Sequence, residues 1–200
     1  WHVQVLQELV EHLDLRQVVL LGAGDGARLG LAVAQDLPER WRGGWLMDAW
    51  PDACPPPALA AWLQAAARKP RWDVAQAMEQ AGFGPSAQSG SAPLAIPFAQ
   101  PGHRAALQAW PRVQAQLPPV PQALLAGWLA QGRCRISHSR SHQLVPEPAW
   151  RQAWLAAVPA LAQHPEALVQ TPVPPLVPAQ AAASVQWAME YFGPTAKTPV

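Results

Sequence analysis

A glycine-rich turn separates an apolar run from a helical pattern within residues 18–34, VVLLGAGDGARLGLAVA. Gly22, Gly24 and Ala27 satisfy the dinucleotide-binding pattern G-x-G-x-x-A, and an acid, Asp48, follows about 20 residues later, as that pattern requires. In such a site the glycines let the backbone approach a pyrophosphate at a helix N-terminus, and the acid holds a ribose. One hypothesis is therefore a cofactor site built from Gly22, Gly24 and Asp48.

The same turn fits a second chemistry, the nucleophile elbow, in which a sharp strand-to-helix turn raises one residue between two small neighbours. Here the small neighbours are Gly22 and Gly26, so the raised residue is Gly24. Glycine adopts the positive φ of such a corner with little penalty, but it has no reactive atom. Asp25 is the fallback nucleophile, with His142 as its base. The competing interpretation of Asp25 is a carboxylate that the helix dipole favours in a first turn.

A cysteine and two histidines later in the chain have the spacing C-x3-H-x3-H, which suggests zinc: Cys134, His138 and His142. This spacing belongs to a helix or a finger, whereas the segment reads as a strand and a loop. Nearby positive charges also oppose a dication: Arg133, Arg135 and Arg140. We therefore expect no metal here, while an anion site that uses these arginines and histidines stays open beside a solvated loop.

Hydrophobic periodicity places these residues in an α/β fold. Strand 18–21, helix 26–36 and a strand in GGWLMDAWP (43–51) are joined by short links, which suggests a parallel crossover. Further strands are predicted in GRCRIS (132–137) and EALVQ (166–170). The other predicted helices are 2–13, 55–69, 72–83, 103–110, 121–131, 148–158 and 179–192. The predicted organisation is a sheet-and-helix core from residues 1–51 and 122–200, with a helical insertion at 52–121.

Composition narrows the class of protein. Half of the 200 residues are hydrophobic, 14% are charged and the net charge is +1, which describes a globular chain without an electrostatic case for nucleic acid or an anionic membrane. No apolar run reaches the roughly 18 residues that cross a bilayer. We expect a cytoplasmic protein with neither a nucleic-acid nor a membrane partner. The chain opens on Trp1, and no strand is predicted before the first helix, so we expect a fragment or a processed piece.

Three stretches carry a resemblance to a known family. GAGDGARLGLAVAQDLPERWRGGWLMDAWP (22–51) resembles the elbow, helix, turn and next strand of α/β hydrolases, and is most similar to the haloalkane dehalogenase group. SAPLAIPFAQPGHRAALQAWPR (91–112) is similar to the cap of that group, and RISHSRSHQLVP (135–146) to its acid-bearing loop. The resemblance covers the whole chain but only the later two-thirds of the family's domain. It implies a partial α/β-hydrolase fold whose cap is the insertion 52–121.

The resemblance also implies that the catalytic groups are missing. In the dehalogenase group the elbow residue is an aspartate that displaces halide and forms an ester; here it is Gly24. The position of the acid falls on Ser141, and that of the histidine base falls on Pro175, or on Pro174 if the loop shifts by one. Asp25 takes the place of a halide-holding tryptophan and would repel a halide. The resemblance therefore implies a degenerate hydrolase, a pseudoenzyme that needs no cofactor.

Two binding roles remain open under this interpretation. In the family, strands that this chain lacks would cover strand 18–21. We therefore expect a partner chain or self-association at that open edge. The second expected partner is a small hydrophobic molecule under the cap.

Overall fold

The computed structural model describes residues 1–52, 56–68, 109, 113, 115–140, 142–172 and 178–192. Within them, four parallel strands form one sheet in chain order: β1 (Val18–Ala23), β2 (Trp41–Met47), β3 (Cys134–Ser139) and β4 (Leu168–Thr171). The helices are α1 (His2–His12), α2 (Asp25–Asp36), α3 (Pro57–Arg68), α4 (Gln122–Ala130), α5 (Glu147–Ala157) and α6 (Pro178–Phe192). Because all four strands run the same way, their carboxyl ends meet at one edge of the sheet.

Two residues with positive φ explain why one strand end and one strand start differ from the predicted ones. The second strand was predicted to extend to Pro51, but β2 ends at Met47 because Asp48 has a φ of 48°. The third was predicted to begin at Gly132, but Gly132 has a φ of 64° and turns the chain, so β3 begins at Cys134. The other described strands and α-helices match the predicted ones to within three residues.

The larger apolar core lies where the sheet packs on α2, α4 and α5. Leu46 and Ile136 from the strands meet Leu31, Leu125 and Trp154 from the helices, and all are fully buried. The indole N–H groups of Trp150 and Trp154 both donate to the carbonyl oxygen of Ala49, at 3.2 and 3.0 Å. This pair of bonds satisfies the indoles and ties α5 to the chain just after β2.

A second, smaller core lies between the sheet and α6. It contains Trp45 and Met47 from β2 with Trp187 and Phe192 from α6. Both cores hold tryptophans, in keeping with the usual role of this residue as apolar filler. The two faces of β2 therefore pack against different layers, as the alternation of side chains along a strand requires.

An apolar stripe runs along α1 (Val3, Leu6, Leu9, Val10 and Leu13), and it is mostly exposed. Only Val10 is buried, whereas Leu9 and Leu13 are 49% and 55% exposed. Helix α1 packs mainly against α2, and this contact leaves most of the stripe exposed.

Helix α3 confirms the first helix predicted in segment 52–121. The predicted helices at 72–83 and 103–110 lie essentially outside the described residues. Among the residues that are described, no helix is both long and apolar enough to span a membrane.

Candidate functional site

The corner after β1 has the geometry that the glycine pattern predicts. Gly24 directly precedes α2 with φ 52° and ψ −130°, and its N–H donates to the Met47 carbonyl at 2.8 Å. A Cβ atom built on Gly24 would have no heavy atom within 4 Å. The corner thus has room for a side chain, but its backbone conformation favours glycine.

Gly22 has a different role in the same turn. A Cβ atom there would lie 2.6 Å from the Cα of Ala27 in α2, closer than two such atoms can approach. Glycine is therefore required for the close packing of helix and strand, and this requirement accounts for Gly22 without any ligand. The same contact accounts for a small residue at position 27.

Asp25 lies in the first turn of α2, as both interpretations of it require. It is partly buried, and its charge acts on the guanidinium of Arg28 one turn later. Burial lowers the pKa of Arg28, and the carboxylates of Asp25 and Asp52 oppose that shift. The structure therefore gives Asp25 an electrostatic role beside a buried cation.

Arg28 is a residue that the sequence did not single out. It is 2% exposed, and its guanidinium donates to the carbonyls of Asp52 (3.2 Å), Leu117 (2.8 Å) and Pro118 (2.8 and 3.2 Å). These acceptors lie at the two ends of segment 52–121, which connects β2 to β3. One buried arginine thus ties both ends of this segment to α2. The available signal was a lone arginine among the small and apolar residues of that helix.

A carboxylate and two imidazoles meet at the carboxyl edge of the sheet. Asp48, directly after β2, accepts a hydrogen bond at Oδ1 from the N–H of Ser139 at 2.6 Å. The same oxygen lies 3.5 Å from Nδ1 of His138 on β3, and both side chains are almost fully buried. The ring of His138 stacks between those of His142 (5.5 Å) and Trp150 (5.1 Å).

The electrostatics of this cluster follow from its burial. Burial lowers the pKa of His142, and the charge of Asp48 opposes the shift while His138 adds to it. His142 is therefore a neutral imidazole at neutral pH. The sequence signal for this cluster is an acid after one strand and a histidine on the next. The sequence analysis places Asp48 in the dinucleotide hypothesis and His142 in the hydrolase hypothesis, so it does not bring the two residues together.

This placement argues against the dinucleotide hypothesis. The carboxylate of Asp48 is buried, and its Oδ1 already accepts a backbone bond, so it presents no open face to a ribose. Dinucleotides bind where the strand order of a sheet reverses, and the four described strands follow chain order without reversal. Gly22 and Gly24 are explained by the turn itself.

The predicted catalytic positions lie partly within the described residues. Ser141, Pro174 and Pro175 lie outside the described residues, whereas Gly24, Asp25 and His142 lie within them. Gly24 forms the corner, and the charge of Asp25 acts on Arg28. His142 belongs to the cluster with Asp48 and His138.

The residues of the C-x3-H-x3-H pattern are spread along one strand and the loop after it. Cys134 begins β3, and burial raises its pKa to about 12, which keeps the thiol protonated. In the described part of the chain, no three His, Cys, Asp or Glu side chains are arranged to hold a metal ion. Arg135 and His138 point to opposite faces of the strand, so they cannot share the anion site that the sequence left open.

Comparison with solved structures gives the fold its name. The haloalkane dehalogenase DpaA from Paraglaciecola agarilytica NO2 is similar over 94% of this chain and 64% of its own, with a TM-score of 0.60 and 16% identity. MGS-M2, an α/β hydrolase from a deep-sea metagenome library of the Medee basin, is similar over 98% of this chain and 72% of its own, with a TM-score of 0.57 and 14% identity. The chain has the α/β-hydrolase fold. This result confirms the predicted fold class.

A third solved structure shows how far the likeness extends. Est816, an N-acyl homoserine lactone degrading enzyme, is similar over 96% of this chain and 73% of its own, with a TM-score of 0.51 and 15% identity. The chain spans 64% of the length of DpaA. No protein-family model and no curated protein sequence matches it. Since proteins with different substrates share this fold, the likeness assigns no substrate.

Proposed function

We propose that this chain is a catalytically inactive α/β-hydrolase-fold protein, similar to haloalkane dehalogenases, whose remaining role is binding. The observation that carries the proposal is the corner at Gly24. The backbone has the sharp strand-to-helix form of a nucleophile elbow, with a φ of 52°, and the residue there has only hydrogen as its side chain. Covalent hydrolysis needs a nucleophilic oxygen or sulfur at that position.

The surroundings of the corner support this proposal. Asp25, the nearest carboxylate in sequence, acts on the buried Arg28, and a carboxylate beside a guanidinium is a weak nucleophile. By resemblance, the acid and base positions hold Ser141 and Pro175, and neither residue type replaces a carboxylate or an imidazole. A chain with all three substitutions has no route to a covalent intermediate.

The rival function is a hydrolase that uses Asp25 with His142 as its base. We would assay halide release from 1-bromobutane and hydrolysis of p-nitrophenyl acetate by the whole chain and by Asp25→Asn. Asp36→Asn, at the other end of α2, is the matched control. The proposal predicts rates equal to the buffer background for all three proteins. Turnover that is lost in Asp25→Asn and kept in Asp36→Asn would establish the rival.

Two binding roles belong to this proposal. The first is a small hydrophobic molecule beneath the proposed insertion 52–121, whose two ends accept hydrogen bonds from Arg28. The second is self-association through β1. This strand is at the edge of the described sheet, and the Leu21 side chain on it is 38% exposed. Edge strands present unpaired backbone groups that another strand can satisfy.

A further inference from the structure

A pocket of about 380 Å³ lies between the β4 edge of the sheet and helix α6. Two indoles, Trp45 from β2 and Trp187 from α6, form its apolar wall. They meet edge to face, with 5.5 Å between ring centres. Trp45 is further fixed by a hydrogen bond from its indole N–H to Oγ of Ser137 at 2.8 Å. The pocket therefore has a rigid aromatic wall in a well-packed part of the protein.

Arg135 lines this pocket as a cation that is already oriented. Its guanidinium carbon lies 4.6 Å from the ring centre of Trp45, and the side chain is only partly exposed. Stacking on an indole leaves the N–H edge of a guanidinium available for hydrogen bonds. Within the described residues, no carboxylate or carbonyl accepts such a bond from Arg135. A guanidinium that is held on an indole in this way can bind a carboxylate in a fixed geometry.

Glu190 limits which anion can enter. It lines the same pocket, where its Oε1 accepts a hydrogen bond from the Gln186 amide at 2.9 Å. One cation and one carboxylate make the pocket nearly neutral, so a dianion such as a phosphate monoester is disfavoured relative to a single carboxylate. The indole wall in turn favours a flat apolar body.

We propose that this pocket binds a small planar aromatic monocarboxylate, with the carboxylate on Arg135 and the ring against the wall of Trp45 and Trp187. The site lies on the face of the sheet that carries α6. It is independent of Gly24 and of whether the corner is catalytic.

The test is calorimetric titration of the whole chain with 1-naphthoate, beside 1-naphthylmethanol, which has the same rings without the charge. We expect one site for 1-naphthoate and at least about tenfold weaker binding of the alcohol. Arg135→Gln should weaken naphthoate binding by about tenfold or more. Arg135→Lys, which keeps the charge but not the planar fork, should fall between the two. Arg16→Gln, which removes the same charge at an exposed position, should leave the affinity within about twofold.

Glu190→Gln should change the affinity for naphthoate in the opposite direction. Removal of this carboxylate should tighten naphthoate binding by about two- to threefold and tighten 1-naphthyl phosphate more, because a dianion gains more from the lost repulsion. Circular dichroism of each variant checks that it is folded. The proposal is overturned by absence of binding at millimolar naphthoate, by equal affinity for the alcohol, or by equal affinity in folded Arg135→Gln and Arg135→Lys.

Discussion

Gly24 has a backbone conformation in which a hydrogen side chain is favoured for a structural reason, whatever chemistry the corner once served. Its φ of 52° with ψ of −130° is costly for any residue with a Cβ atom, although no neighbour would obstruct that atom. The residue thus keeps the corner relaxed. An enzyme with a nucleophile there must bear this strain, and this chain does not.

Alanine substitutions of two glycines in the same turn should distinguish backbone strain from a lack of room for a side chain. We predict that Gly24→Ala lowers the free energy of unfolding by about 1–3 kcal/mol, because alanine is strained at this φ. Gly26→Ala is the matched control: it lies inside α2, a Cβ atom there would also meet nothing within 4 Å, and its φ is not positive. It should raise the free energy of unfolding by up to about 1 kcal/mol.

Urea denaturation of the two variants measures both values. A Gly24→Ala protein as stable as the parent would show that the corner is not strained for side chains. In that case glycine at position 24 would give no gain in backbone energy over a residue with a side chain.

At the scale of elements, Arg28 couples α2 to the insertion. Its four hydrogen bonds go to three carbonyl oxygens, up to 90 positions away in sequence, in place of a conventional ion pair. Burial of a guanidinium without water is costly unless its donors are satisfied. The acceptors at Asp52, Leu117 and Pro118 therefore determine how the ends of the insertion are held.

We predict that Arg28→Met loosens those ends before the rest of the domain. Amides in residues 49–52 and 115–121 should exchange with deuterium at least about tenfold faster, because the anchoring bonds are lost and buried carbonyls are left without donors. Amides of β2 and β3 should change little. Arg151→Met, which removes only a helix-surface pair with Glu147, should leave 115–121 unaffected.

Uniform acceleration across the sheet in Arg28→Met would contradict this prediction. It would mean that Arg28 stabilises the whole core and does not specifically anchor the insertion.

The sequence predicted the elements better than the contacts between them. Apolar periodicity and the glycine turn located β1, α2 and the later strands, because these signals are local. Asp48 ended β2 earlier than predicted, since a left-handed residue that is not glycine has no clear sequence signature. Arg28 and the Asp48–His138 cluster were missed because each joins residues about 90 positions apart. Such contacts depend on the path of the insertion, and no local pattern encodes that path.

At the scale of the whole molecule, β1 is an edge strand of the sheet that the described residues form. Leu21 on this strand is 38% exposed. An apolar edge with unpaired backbone groups favours addition of another strand.

We predict that the isolated chain is a dimer or larger at micromolar concentration, paired through β1 of a second copy. Leu21→Lys should shift it toward monomer, because a charge on an edge strand opposes pairing. Met189→Lys, at a position 66% exposed on α6, introduces the same charge elsewhere and should leave the assembly unchanged. Size-exclusion chromatography with light scattering measures the mass, and a monodisperse monomer of the parent chain would contradict the prediction.

The central claim is that the corner after β1 has no nucleophile. Intact-mass spectrometry after incubation with 1-bromobutane tests it most directly, because displacement of bromide by a carboxylate leaves a butyl ester on the protein. We predict an unchanged mass for the parent chain at neutral pH. A gain of one butyl group that maps to Asp25 and disappears in Asp25→Asn would contradict the claim.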